Sequence, residues 1–225
     1  MTTGGGERAS SRRAIGLLGG TFDPIHYGHL RLAEEVGEAF GLDEVRLMPA
    51  GTPPHRAAPL ADAKHRRAMV ELAIAGNPRL RLESIELDRA GPGYMVDSLD
   101  ELRLELGVDT PIILIVGADA FTGLEGWHAW PRLFDLCHFA VAHRPGYETW
   151  QTSLPSALAS EYAVRRSERL AVLKDRPAGQ VAHLAITPLD ISASRVRADL
   201  AAGRSERYLL PDTVLDYIER HRLYR

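Results

Sequence analysis

The chain has a single cysteine, Cys137, and among its 27 lysine and arginine residues only Lys64 and Lys174 are lysines. One thiol cannot close an internal disulfide, which fits a reducing compartment and leaves the fold to its core. Cys137 follows a helical stretch and precedes an apolar run, a place that suits a small core residue better than a nucleophile. No apolar run is long enough to cross a bilayer. Residues 1–13, mostly Gly, Ser, Thr and Arg, read as a disordered lead-in without the apolar segment of a secretory signal. The expectation is a cytoplasmic protein with no membrane partner. Two nucleotide signatures are also missing. No G-x-G-x-x-G follows the first strand and no Gly-Lys-Ser/Thr closes the first loop, which sets aside the ordinary dinucleotide and Walker sites. A net charge of −3 provides no concentrated basic surface for nucleic acid.

With 225 residues and 45% hydrophobic content, the chain can bury a full core, expected as one domain over residues 14–225. Strand-like runs recur at Ala14–Leu18, Glu44–Pro49, Leu80–Leu87, Pro111–Val116, His138–Ala142 and Val181–Ile186. Helical patterns fall at Tyr27–Phe40, Ala61–Ala75, Val96–Leu106, Ala157–Val172, Ser194–Ala201 and Asp212–His221. This alternation predicts an α/β, Rossmann-like doubly wound sheet, mostly parallel, with helices on both faces. Leu80–Leu87 alternates apolar and polar residues and belongs near an edge. Ile112 to Val116 is apolar on both faces and belongs in the middle. The Pro- and Gly-containing stretches 50–59 and 144–155 are the expected mobile loops. In such sheets ligands bind beyond the carboxyl ends of the strands, where strand order reverses.

The run from Leu17 to Leu30, LLGGTFDPIHYGHL, joins an apolar strand, a glycine turn and a helix start. Gly19 and Gly20 allow close approach of a ligand or a positive φ. His26 and His29 fall where unpaired N–H groups and the helix dipole favour an anion, and their spacing lets both face one ligand. The run reads as a phosphate site. A capping role for one histidine, or a zinc pair with a further ligand, stays open.

Three more places carry candidate chemistry. Ser192 and Ser194 open the helix Ser194–Ala201 with Arg197 one turn further on, so hydroxyls, backbone N–H groups and a guanidinium could converge on a triphosphate. An N-cap accounts for either serine but not for Arg197. Trp127, in a loop segment beside Gly126, could leave an indole face open to a flat ring or simply join the core, as Trp130 is expected to do. Asp119 ends an apolar strand and would be a costly buried charge unless it accepts hydrogen bonds, from a ribose hydroxyl or from the helix that follows.

The block Gly19-Gly20-Thr21-Phe22-Asp23-Pro24 with His26-Tyr27-Gly28-His29 resembles the signature of the nucleotidyltransferase superfamily that carries an H-x-G-H motif. Further blocks follow in order: Met48 to His55, Gly93 to Leu99, Val116 to Asp119 with Gly126-Trp127, His143 to Gly146, Ile191 to Arg197, and Tyr208 to Pro211, then the ending Tyr217 to Tyr224. Together they resemble the bacterial nicotinate mononucleotide adenylyltransferases from Ala14 onward, apart from residues 149–180.

The resemblance implies transfer of the adenylyl group of ATP to nicotinate mononucleotide in NAD biosynthesis, with Mg²⁺ arriving on ATP and no dedicated metal site. It places ATP on Gly19, Gly20, Thr21, Phe22, His26, His29, Arg144, Ser192, Ser194 and Arg197. His29 would meet the α-phosphate in the transition state, His26 the triphosphate, and Ser194 and Arg197 the β- and γ-phosphates. The mononucleotide falls to Arg56, Tyr94, Met95, Asp119, Trp127 and His128, with Trp127 stacked on the pyridine and backbone donors near Met95 and His128 receiving its carboxylate. Two positions depart from the family pattern, which has Thr at Met95 and Lys at Arg56; a backbone N–H at Met95 and the charge of Arg56 would still serve. Nicotinamide mononucleotide and phosphopantetheine are rival acceptors, and a nucleotide sensor without turnover is the rival from another class. The oligomeric state stays open, a homo-oligomer included.

Overall fold

Strands β1 (Ile15–Gly20), β2 (Glu44–Pro49), β3 (Leu80–Leu82), β4 (Ile112–Gly117), β5 (His138–His143) and β6 (Val181–Ala185) lie parallel in one sheet, in the order β3-β2-β1-β4-β5-β6. The structure is a computed structural model and describes residues 13–51, 58–143, 149–169 and 173–225. Helices α1 (Tyr27–Ala39), α2 (Ala63–Ile74), α3 (Ile85–Asp88), α4 (Met95–Leu106), α5 (Ala118–Thr122), α6 (Trp130–Leu136), α7 (Ser156–Arg165), α8 (Ala193–Ala201) and α9 (Asp212–His221) are joined among those residues by short 3-10 turns at Leu124–Gly126 and Trp150–Ser153. This is the expected α/β doubly wound sheet. β1 lies between β2 and β4, pairing Gly19 with Met48 and Leu18 with Ile115. Strand order reverses there, so the carboxyl ends of β1 and β4 open a crevice.

The pleat sorts each buried strand onto two cores. Leu18, Val45, Leu47, Ile113 and Ile115 face α1, α2, α8 and α9. Leu17, Met48, Ile112, Leu114 and Val116 face α4, α5, α6 and α7. β3 is an edge strand, as its alternation predicts. Cys137 is a fully buried core residue whose thiol donates to the Leu133 carbonyl at 3.3 Å, and burial raises its pKa.

Four expectations need correction. The strand read at Leu80–Leu87 ends at Leu82, and Ile85–Asp88 forms α3. The Glu83 carboxylate accepts the Ile85 N–H at 3.2 Å and turns the chain into that helix. The helix read at Ala157–Val172 stops at Arg165, because Ser167 N–H donates to the Val181 carbonyl at 2.8 Å and follows β6 instead; residues 170–172 lie outside the described residues. Part of the expected mobile loop 144–155 is anchored, since Trp150 is buried against Phe121 and Tyr162. Trp150 is thus the core tryptophan, whereas Trp130 is only half-buried. No helix among the described residues is long and apolar enough to cross a membrane.

Candidate active site

The expected glycine turn is the end of β1 itself, and Gly19 and Gly20 work there by close approach and not by positive φ. A Cβ on Gly19 would lie 3.1 Å from the Met95 methyl, and one on Gly20 2.9 Å from the Phe22 ring. The left-handed residue is Phe22 itself, at φ 49°, a conformation that a bulky side chain adopts only when its surroundings impose it. Phe22 is buried and meets the His29 ring edge-on at 5.0 Å.

His26 is the N-cap residue of α1, and its backbone N–H donates to His29 Nδ1 at 3.3 Å. That bond fixes His29 as the neutral tautomer with its proton on Nε2. The two rings stack at 3.7 Å, 22° from parallel. Gly28 makes room for this stack, because a Cβ there would lie 3.0 Å from the His26 ring. Burial lowers the His26 pKa to about 4. Burial, then the neighbouring His26, also pushes His29 well below its ordinary value. Both imidazoles are therefore neutral at physiological pH. The capping option left open by the sequence is realised. For the zinc option, no group of three or more His, Cys, Asp or Glu among the described residues gathers where it could hold a metal ion.

Two cavities meet at this turn. The first, about 340 Å³, is lined by Trp127, Tyr94, Met95, His128 and the ends of β1 and β4. The rings of Tyr94 and His128 lie 4.4 Å apart, and α4 begins at the wall with no side-chain cap, leaving its first N–H groups available. The second, about 760 Å³, is lined by His26, Phe22, Asp23, Asp119, Ser192, Ser194 and Arg197. Gly19, Gly20, Thr21 and His29 line both.

The remaining expected residues sort between these cavities. Ser192 is the N-cap of α8, accepting the Arg195 N–H at 3.3 Å, while Ser194 is exposed in the first helical turn. Arg197 donates to the Asp23 carbonyl at 2.7 Å, which ties α8 to the turn after β1. Asp119 is exposed in the first turn of α5, so no burial cost arises, and it sits on the second cavity. Arg56 and Arg144 lie outside the described residues.

Sequence reasoning missed the supports. Arg66, nearly fully buried, donates to the carbonyls of Thr21 (3.0 Å), Ala50 (2.6 Å), Gly51 (3.3 Å) and Ala61 (3.2 Å), pinning the chain after β1 and β2. Buried Glu86 accepts from Gly51 N–H at 3.2 Å and from the Ser98 hydroxyl at 3.0 Å, bracing the first cavity. Asp23, whose carbonyl holds Arg197, lies in the motif block and could have been singled out there, whereas Arg66 and Glu86 carried no such signal.

A parallel 3-2-1-4-5-6 sheet with a donor-rich turn at its switch point, flanked by a ring-sized cavity and a polar cleft, defines a nucleotidyltransferase-like α/β protein. Residues 17–199 match the family model described as cytidylyltransferase-like. The chain is 52% identical over 211 residues to a "probable nicotinate-nucleotide adenylyltransferase" of Dechloromonas aromatica, covering 94% of this chain and 97% of that one. It is 53% identical over 202 residues to a protein of the same description from Halorhodospira halophila, covering 90% and 91%. The chain belongs to the nicotinate-nucleotide adenylyltransferase family. Its fold is similar to that of the Plasmodium falciparum nicotinic acid mononucleotide adenylyltransferase solved with NaAD, at a TM-score of 0.70 and 19% identity over 94% of this chain and 97% of that one.

Proposed function

We propose that this protein transfers the adenylyl group of ATP to nicotinate mononucleotide, giving nicotinate adenine dinucleotide and pyrophosphate in NAD biosynthesis. The observation that carries this reading is the junction of the two cavities at Gly19–Thr21 and His29. An acceptor phosphate entering from one side meets an α-phosphate entering from the other. The 5′-phosphate oxygen forms a bond to the α-phosphorus while the bond to the bridging oxygen of pyrophosphate breaks in line. The nucleophile is already an anion, so the protein's task is positioning and charge stabilisation.

His29 supplies its Nε2–H to the α-phosphate oxygens as charge builds there. As a neutral donor it stabilises charge without exchanging a proton. His26 faces the triphosphate from the second cavity. Arg197, Ser192 and Ser194 receive the leaving pyrophosphate at the start of α8, where the helix dipole favours an anion. ATP enters as its Mg²⁺ complex, the ion held by phosphate oxygens and water. On the other side, Trp127 offers its face to the pyridine ring, and the free N–H groups at Met95 receive the carboxylate. Asp119 reaches a ribose hydroxyl of the mononucleotide from the rim of the second cavity, across the junction.

Pyrophosphate release measured with nicotinate mononucleotide, nicotinamide mononucleotide and phosphopantetheine tests this directly. The nicotinate substrate should give the highest kcat/KM. Preference for either other acceptor would overturn the substrate assignment, and ATP binding without release under any acceptor would make the protein a sensor.

A further inference from the structure

Three hydrogen bonds converge on the Asp23 carboxylate, and one comes from a residue the reaction does not use. Tyr224, beyond α9, donates its hydroxyl to Asp23 Oδ1 at 2.6 Å. The Ala61 N–H donates to the same oxygen at 3.1 Å, and the Leu60 N–H to Oδ2 at 2.8 Å. Asp23 is 3% exposed, so water contributes little to holding its charge. Its backbone carbonyl, meanwhile, accepts Arg197 Nη1 at 2.7 Å, and that same nitrogen stands 3.9 Å from Oδ2. Asp23 thus holds Arg197 by a neutral oxygen while its charged oxygens are occupied by other donors. Without the Tyr224 hydroxyl, Oδ1 keeps one donor of two, and the carboxylate gains by turning toward the guanidinium for a charge-assisted bond. Arg197 would then be drawn down onto Asp23 and away from the cleft.

We propose that Tyr224 is a positioning residue for the triphosphate cleft, holding the Asp23 carboxylate so that Arg197 stays free to face the leaving pyrophosphate. The proposal rests on the reading of that cleft given above. It ties residues at the two ends of the described chain to one phosphate contact. Burial and the bond to Asp23 raise the pKa of the phenol, so it remains a donor across the working pH range.

The test is Tyr224→Phe in the full chain, which removes the hydroxyl and keeps the ring. Binding of α,β-methylene ATP should weaken about tenfold, the scale of one hydrogen bond to a charged group. KM for ATP should rise while KM for nicotinate mononucleotide holds. Equal affinity in variant and wild type, an equal rise in both KM values, or a variant that fails to fold would each overturn the proposal. A double-mutant cycle fixes the route. In an Arg197→Ala background, Tyr224→Phe should change analogue affinity less than twofold, and a full tenfold loss there would show that Tyr224 does not act through Arg197. A wild-type protein that binds no analogue would overturn the cleft reading as well, whereas a wild type that binds and a variant that matches it would overturn this inference alone.

Discussion

The two cavities that share the turn after β1 are built from opposite materials. The one beside α4 is walled by strand ends, Trp127 and Tyr94, surfaces suited to a flat ring by contact area. The one beside α8 is walled by hydroxyls, backbone N–H groups, His26 and Arg197, groups suited to a charge by direction. On the function proposed above, their difference would let one sheet hold two unlike substrate halves side by side. On that reading only the shared residues must be placed for chemistry, and of these His29 alone carries a ring.

The comparison breaks first at that shared residue. His29→Ala should lower kcat by about 10²-fold or more with little change in the binding of either substrate, the effect of losing a transition-state donor. Near-normal turnover in a folded His29→Ala protein would remove the histidine from its assigned place. Acidity should act on the phosphate side. His26 is neutral in the fold down to about pH 4 but titrates near 6.5 when unfolded. The unfolded chain therefore binds more protons between those values, and stability is full above about pH 6.5 and falls as pH drops toward 4. The loss is on the order of 1 kcal/mol per pH unit for each such histidine. Thermal unfolding followed from pH 7 to 4.5 should show it, with a smaller slope in His26→Asn. The least severe change is Trp127→Ala, expected to raise KM for the mononucleotide about fivefold and leave KM for ATP alone, a stacking contribution near 1 kcal/mol. A matching rise for ATP would erase the distinction between the two cavities.

The alternation of elements was readable because each strand is a short apolar run and each long helix repeats its apolar face. The strand order was not, since the pairing of Ile15 with Ile112 is written in no local pattern. Short helices such as α5 and α6 span too few turns to show a period. At the site, His26, His29, Ser192, Ser194 and Arg197 stood out because their chemistry and spacing are local. Arg66 looked like any solvated helix arginine until four carbonyls from three separate segments closed around it. Tyr224 had no legible role, because its partner Asp23 lies at the other end of the chain.

The position of β1 has a kinetic consequence. β1 pairs with β2 nearby in sequence but with β4 only after Ile15 meets Ile112, and the cleft closes only when Arg197 reaches Asp23. Loop closures of that span are slow compared with hairpins and helical turns. Assembly of the cleft is therefore expected to depend on contacts of long sequence separation, beyond those that β1, α1 and β2 make among themselves. The cavity beside α8 has its second wall only once that helix packs against the chain after β1.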